Sequence, residues 1–137
     1  MRIKRIEHVA IAVHDLDGVR DMFAALGIAC DYEETLAANG VRLAMLPVGE
    51  SALELLQPTR PDTRLGERLE RRGVGIDHIC LEVADIEAAL QELRGKGIGL
   101  LDQVPRIGHG GHRIAFLDPA STGSILVELV EMTGAQA

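Results

Sequence analysis

The sequence predicts an α+β fold built from two tandem βαβββ units, and three observations carry that expectation. First, the chain repeats itself. Ile6, His8, Val13, Asp15, Gly27 and Ile28 recur as Ile76, His78, Val83, Asp85, Gly97 and Ile98, an offset of 70 that holds across 23 positions. Self-similarity at a fixed spacing marks a duplicated structural unit. Second, the hydrophobic period changes inside each copy, from a nearly continuous β-branched run (residues 6–13 and 76–83) to apolar residues at helical spacing. Third, turn-forming residues divide the rest of each copy into short apolar runs of strand length.

Residues 3–13 read as a strand. His14-Asp15 offers a helix N-cap, and Leu16, Val19, Met22, Phe23 and Leu26 follow at helical spacing until Gly27 ends the helix. Residues 28–33 read as a second strand. Asn39-Gly40 is a turn signal, and residues 41–47 and 52–56 form a hairpin through Val48-Gly49-Glu50-Ser51. Residues 58–74 connect the copies through a turn and a short charged helix around Leu65 to Arg72. Leu65, Leu69 and Val74 give that helix a face to bury.

The second copy repeats the order: a strand over 76–83, a helix over 86–97 and a short strand over 99–101. A glycine-rich loop, Gly108-His109-Gly110-Gly111, precedes closing strands over 112–117 and 124–131, and the tail from Met132 reads as loose. The whole chain, 1–137, is then one domain with an internal repeat, 3–57 and 75–131. Two such units facing one another form a curled sheet around a central cleft. Runs such as 9–13, apolar on both strand faces, fit strands covered by helices on one side and an enclosed space on the other.

Composition narrows the function. A net charge of −7 and only three aromatic residues (Phe23, Tyr32, Phe116) exclude a nucleic-acid surface, which needs a basic stripe and stacking platforms. Arg60, Arg64, Arg68, Arg71 and Arg72 cluster, but Asp62, Glu67 and Glu70 interleave with them, as on a solvated helix face. No apolar run approaches the roughly 20 residues a membrane span requires. Met1-Arg2-Ile3-Lys4-Arg5 enters a strand without an export signal, so a cytoplasmic protein is expected. Cys30 and Cys80, both assigned to apolar strands, read as reduced thiols.

Four residues do not suit a core. His8 and His78 lie in the first strand of each copy. Glu54 interrupts Ala52-Leu53-Glu54-Leu55-Leu56, and Glu128 interrupts Ile125-Leu126-Val127-Glu128-Leu129-Val130. An ionised carboxylate buried without a partner costs several kcal/mol. A lone strand histidine is more often a hydrogen-bonded core residue than a ligand, and a lone strand glutamate more often sits at an exposed edge. Here all four obey the repeat. Two copies related by a pseudo-twofold axis bring His8, Glu54, His78 and Glu128 to a common centre, a donor set suited to a divalent first-row metal. Glu82 and Glu131 lie near strand ends and read as solvent-facing. His14, His109 and His112 fall in turns or loops and receive no role.

With these residues in view, the chain resembles the vicinal oxygen chelate (glyoxalase/bleomycin-resistance) superfamily and, within it, the methylmalonyl-CoA epimerase family. The segments that carry the likeness are residues 6–13, 40–49, 53–58, 75–79, 108–117 and 119–129; those holding Leu46-Pro47-Val48-Gly49 and Ser121-Thr122-Gly123 are the most specific. The resemblance implies epimerisation of a 2-substituted malonyl-CoA thioester on one divalent ion, cobalt or manganese favoured, zinc or nickel compatible. It implies that Glu128 is both metal ligand and base, that Glu54 stands where some relatives carry Gln, and that Ser121 and Thr122 lie beside the acyl or carboxylate end of the acyl-CoA substrate. It also implies a homodimer, with which the mean hydropathy of +0.12 is compatible. One departure stands out: some epimerases carry a second acid/base glutamate in the strand that here reads Val41-Arg42-Leu43-Ala44. The rival readings are a glyoxalase I-type lyase, which uses a similar ligand set but a tighter Asp-Pro-Asp-Gly turn, and a metal-free small-molecule-binding protein of the same fold.

Overall fold

Asp15 and Asp85 stand at the same point of the two copies, and each ends a strand and starts a helix. The computed structural model, which describes residues 1–134, shows how. The first copy runs β1 (Ile3–Ala12), α1 (Leu16–Ala25), β2 (Tyr32–Leu36), β3 (Val41–Val48) and β4 (Ser51–Pro58). Helix α2 (Arg64–Arg72) connects it to β5 (Gly75–Val83), α3 (Ile86–Gly95), β6 (Arg106–Ile107), β7 (Arg113–Phe116) and β8 (Val127–Glu131). The order is βαβββ twice, as the repeat requires.

The helices are locked in the same way in both copies. The Asp15 carboxylate accepts the Gly18 N–H and the Asp85 carboxylate the Ala88 N–H, each at 3.1 Å. These bonds satisfy amides that the first helical turn leaves without a partner. At the other ends, Gly27 (φ +92) and Gly97 (φ +76) take the left-handed conformation that glycine tolerates. The chain then turns back, Ile28 N–H donating to the Phe23 carbonyl at 2.9 Å and Ile98 N–H to the Leu93 carbonyl at 3.0 Å. A third lock joins each helix to the last strand of its copy. Leu16 N–H donates to Gln57 Oε1 at 2.8 Å, and Ile86 N–H to Glu131 Oε1 at 3.0 Å. Glu131, expected to face solvent, therefore caps a helix.

The chain divides into two compact units, one of residues 8–77, the other of residues 1–7 with the chain from His78 onward. In the first, the strands bond in the order β2-β3-β4-β1. β1 and β4 are parallel, with Ala10 opposite Glu54, and β3 and β4 are antiparallel. One face packs Val13, Leu16, Ala44, Leu46 and Leu55 with Val19 and Phe23 of α1. The other packs Ala10, Ala12, Leu43 and Leu56 with Leu65 and Leu69 of α2. In the second unit the order is β1-β5-β8-β7-β6. Leu81, Val83 and Leu129 meet Ile86, Leu90 and Leu93 of α3 on one face, while Cys80, Ile114 and Val130 pack with Phe116 on the other. Apolar residues on both strand faces are thus accounted for within each unit.

Several boundaries differ from expectation. The hairpin of β3 and β4 closes on two residues, Val48 pairing with Ser51, with Gly49 at φ +60 in the first turn position. The strand expected over 28–33 lies at Tyr32–Leu36, because the return of α1 consumes Ile28. Cys30 is consequently outside any strand and half-buried, whereas Cys80 is in β5; neither is in a disulfide, and burial pushes the Cys30 thiol up. The strand expected over 99–101 is a single bridge, Leu100 to Leu117. The two-residue β6 was not foreseen. β8 starts at Val127 rather than 124, since a 3-10 turn at Pro119–Ser121 and a left-handed Ser124 (φ 70) precede it. The start of the tail is anchored: Met132 packs on the Cys80 cluster, and Gly134 N–H donates to His112 Nδ1 at 2.8 Å. The last three tail positions lie outside the described residues. No described helix is long and apolar enough to cross a membrane.

The capping geometry makes a first prediction. Asp15→Ala and Asp85→Ala should each lower the unfolding free energy by about 1 kcal/mol. The two losses should add, because the caps share no partner. Urea denaturation of the single and double variants measures both.

Candidate functional site

The register of the parallel strand pairs builds the same polar contact twice. Directly opposed residues share a face, and side chains alternate along a strand. Ala10 lies opposite Glu54, so His8, two residues earlier on β1, shares the face of Glu54. His8 Nε2 stands 3.2 Å from Glu54 Oε1, and the side chains are 0% and 4% exposed. In the second copy Cys80 lies opposite Glu128, with His78 two residues earlier on β5. His78 Nε2 stands 3.2 Å from Glu128 Oε1, with side chains 4% and 5% exposed. The atoms and the distance are the same.

Each pair fits one coordination shell. Imidazole nitrogens and carboxylate oxygens bind a first-row metal at about 2.0–2.2 Å. Two such atoms on one ion, at bond angles between octahedral and tetrahedral, stand about 2.8–3.6 Å apart, which brackets the observed spacing. Their surroundings differ. Ala10 and Met45 flank Glu54 across the sheet, whereas Cys80 and Phe116 flank Glu128. The Phe116 ring meets His78 edge-on, with centroids 5.1 Å apart, and the Arg106 guanidinium lies 5.6 Å from the centroid of the same ring. On β3, Leu43 is buried with Ala10, Ala12 and Leu56 on the face His8 shares, so that strand presents no carboxylate there.

Ser121 and Thr122 form the turn before β8. Ser121 is exposed, and its Oγ accepts the Gly99 N–H at 2.8 Å. The Thr122 hydroxyl donates to the Ile125 carbonyl. His14 is exposed.

Other residues turn out to be more deeply engaged than the sequence suggested. Glu82 is buried rather than solvent-facing, held by Arg5 Nε at 2.6 Å and Lys4 Nζ at 3.5 Å. The arginine face is only partly solvated. Arg64 and Arg68 turn to Asp77, at 2.9 and 3.1 Å, while Arg71 and Arg72 stay exposed. His109 and His112, assigned nothing, are buried, and His109 Nε2 lies 2.9 Å from Glu7 Oε1. A signal was available for Glu7 and Asp77: both are acids, both precede a repeated histidine, and they are themselves separated by the repeat offset.

Duplicated βαβββ halves with a buried His–Glu pair in each define a class. Residues 7–116 match the Glyoxalase/Bleomycin resistance protein/Dioxygenase superfamily, and the chain belongs to it. Within that superfamily its homologues are methylmalonyl-CoA epimerases, enzymes of the isomerase class. The mitochondrial methylmalonyl-CoA epimerase of Bos taurus is 34% identical, over 91% of this chain and 73% of that protein. The ethylmalonyl-CoA/methylmalonyl-CoA epimerase of Cereibacter sphaeroides is 34% identical, over 95% of this chain and 99% of that one. A Streptomyces coelicolor methylmalonyl-CoA epimerase variant, solved in complex with 2-nitronate-propionyl-CoA, superposes with a TM-score of 0.92 at 38% identity. The superposition covers 98% of this chain and 96% of that structure.

Proposed function

We propose that the chain is a metal-dependent epimerase that interconverts (R)- and (S)-methylmalonyl-CoA, with His8, Glu54, His78 and Glu128 as the protein ligands of one divalent ion. The observation that carries the reading is the duplicated contact: the same imidazole nitrogen meets the same carboxylate oxygen at 3.2 Å in both copies of a chain whose homologues are epimerases of this substrate. Duplication of a core accident would not preserve a costly buried carboxylate twice. A shared ligand role does.

Two nitrogens and two oxygens suit cobalt or manganese with positions left for water and substrate, and zinc or nickel are compatible. Bound there, the ion supplies positive charge beside the thioester oxygen, where negative charge develops as the α-proton leaves. The protein's part is proton transfer and orientation. His8 and His78 offer Nε2 as the ligand atom. Glu128 takes the C2 proton, and the aromatic edge of Phe116 steadies His78 beside it. Leu43 leaves β3 without an acid/base, so protonation of the second face draws on another donor. Ser121 and Thr122 form the turn proposed to border the acyl or carboxylate end. The active species is proposed to be a homodimer.

Two experiments test this reading. In D2O the protein should exchange the C2 hydrogen of methylmalonyl-CoA for deuterium, and Glu128→Gln should slow exchange by on the order of 10²–10⁴-fold. Exchange unaffected by that substitution would remove Glu128 from the base role, and no exchange by metal-loaded protein would point to another substrate. Turnover of methylglyoxal with glutathione would favour the lyase. The second experiment concerns the metal. Elemental analysis after dialysis should find one divalent ion per chain in the wild type and none in His8→Ala or His78→Ala. Retention of the ion by both variants would reject the ligand set.

A further inference from the structure

The residue before each proposed ligand histidine is a buried acid. Glu7, which precedes His8, is 4% exposed, and Asp77, which precedes His78, is 9% exposed. Each is tied to a partner on another element. Glu7 Oε1 lies 2.9 Å from Nε2 of His109, in the short 3-10 turn between β6 and β7. His109 in turn meets the edge of the fully buried His112 ring, centroids 5.2 Å apart, and His112 Nδ1 accepts the Gly134 N–H. Asp77 receives Arg64 through both guanidinium nitrogens, at 2.9 and 3.3 Å, and Arg68 Nε at 3.1 Å. Arg68, its side chain 11% exposed, also donates to the Gly73 and Ile76 carbonyls.

Buried ion pairs are weak sources of net stability, because desolvation offsets most of the attraction. What they offer is definition of position. Glu7 and Asp77 anchor β1 and β5 at the residue directly before each histidine, through partners on other elements. A slip of one residue would turn each histidine away and put a carboxylate, also a metal ligand, in its place. An anchored acid forbids that slip. It also fixes the backbone from which the imidazole projects, a condition for holding a ligand within a few tenths of an ångström.

We infer that Glu7 and Asp77 are positioning residues, whose contacts with buried His109 and with Arg64 and Arg68 set the register and backbone that aim His8 and His78 at the metal. The inference rests on the four-ligand reading above. It goes beyond that reading in assigning function to residues outside the four proposed ligands.

The test is Co²⁺ titration of the full chain, read by affinity and by the visible spectrum, which reports ligand geometry. Thermal melting runs alongside. Replacing both members of a buried pair by apolar residues is often neutral for folding. The double variant Glu7→Leu/His109→Leu should therefore stay folded, yet bind Co²⁺ about 10–100-fold more weakly and with a shifted spectrum. Glu7→Gln, which keeps an acceptor for His109, should retain the wild-type spectrum. A folded double variant with wild-type affinity and spectrum would overturn the inference alone. Wild-type protein that takes up no Co²⁺ would overturn the four-ligand reading and this inference with it. If the double variant does not fold, Arg64→Leu decides. It removes the two Arg64 contacts while Arg68 still holds Asp77, and a several-fold loss of affinity supports the inference where no change overturns it.

Discussion

A carboxylate oxygen 3.2 Å from an imidazole nitrogen, both shut off from solvent, is a contact that a fold has to be built to hold. Neither group belongs in a hydrocarbon interior. Removing one partner would leave the other with an uncompensated cost of several kcal/mol. The constraint that resolves this is parallel pairing of the first and last strands of each copy. Parallel neighbours hold fixed residues opposite one another, and the register that sets Ala10 against Glu54 also sets Cys80 against Glu128. Once that register is chosen, the histidine two residues back has no other place to go.

That constraint explains how the two copies differ without losing the contact. First strands and helices keep the offset of 70, as in His8 to His78 and Asp15 to Asp85. The last strands are displaced further: Glu54 to Glu128 and Gln57 to Glu131 are each 74 apart. The additional residues fall between helix and last strand, where β2 and the short β6 have little in common. Side-chain acceptors restore the alignment. Gln57 and Glu131 each take the first amide of their copy's helix, so strand and helix remain in step through different loops. Glu131 adds a negative charge at a helix N-terminus, where the macrodipole favours it.

Much of this was legible in the sequence because it is local. The caps, the helix-ending glycines and the mid-strand glutamates each announce themselves within a few residues. The features that were missed depend on partners carried by other elements. Glu82 looks like an ordinary strand-end acid until Arg5, 77 residues away, is laid against it. Asp77 gives no sign that two arginines of the connecting helix meet it, Arg64 from the surface and Arg68 from a mostly buried position. His109 and His112 sit in a glycine-rich stretch that reads as loop, and only the fold shows that Gly110 (φ +63) and Gly111 (φ +78) bend it so that both rings are buried. The second strand was misplaced for a related reason: β propensity at Ile28 is real, but the helix end claims that residue first.

The duplication is faithful in its proposed ligands and unfaithful in what surrounds them, and in the proposed mechanism that asymmetry divides their roles. Two carboxylates in identical settings would have no reason to divide labour, whereas differing environments separate the roles of paired acids. Glu54 lies among small and apolar neighbours, Ala10 and Met45, on a face continued by Leu43, Leu56 and α2. That is a setting for a ligand that stays where it is. Glu128 lies opposite a thiol on one strand and an aromatic ring on the other, and the ring also contacts its partner histidine and an arginine. Glu128, the proposed base, is the one whose surroundings include a thiol, an aromatic ring and an arginine over that ring. The proposed base therefore follows from where the two halves of the chain stopped resembling each other.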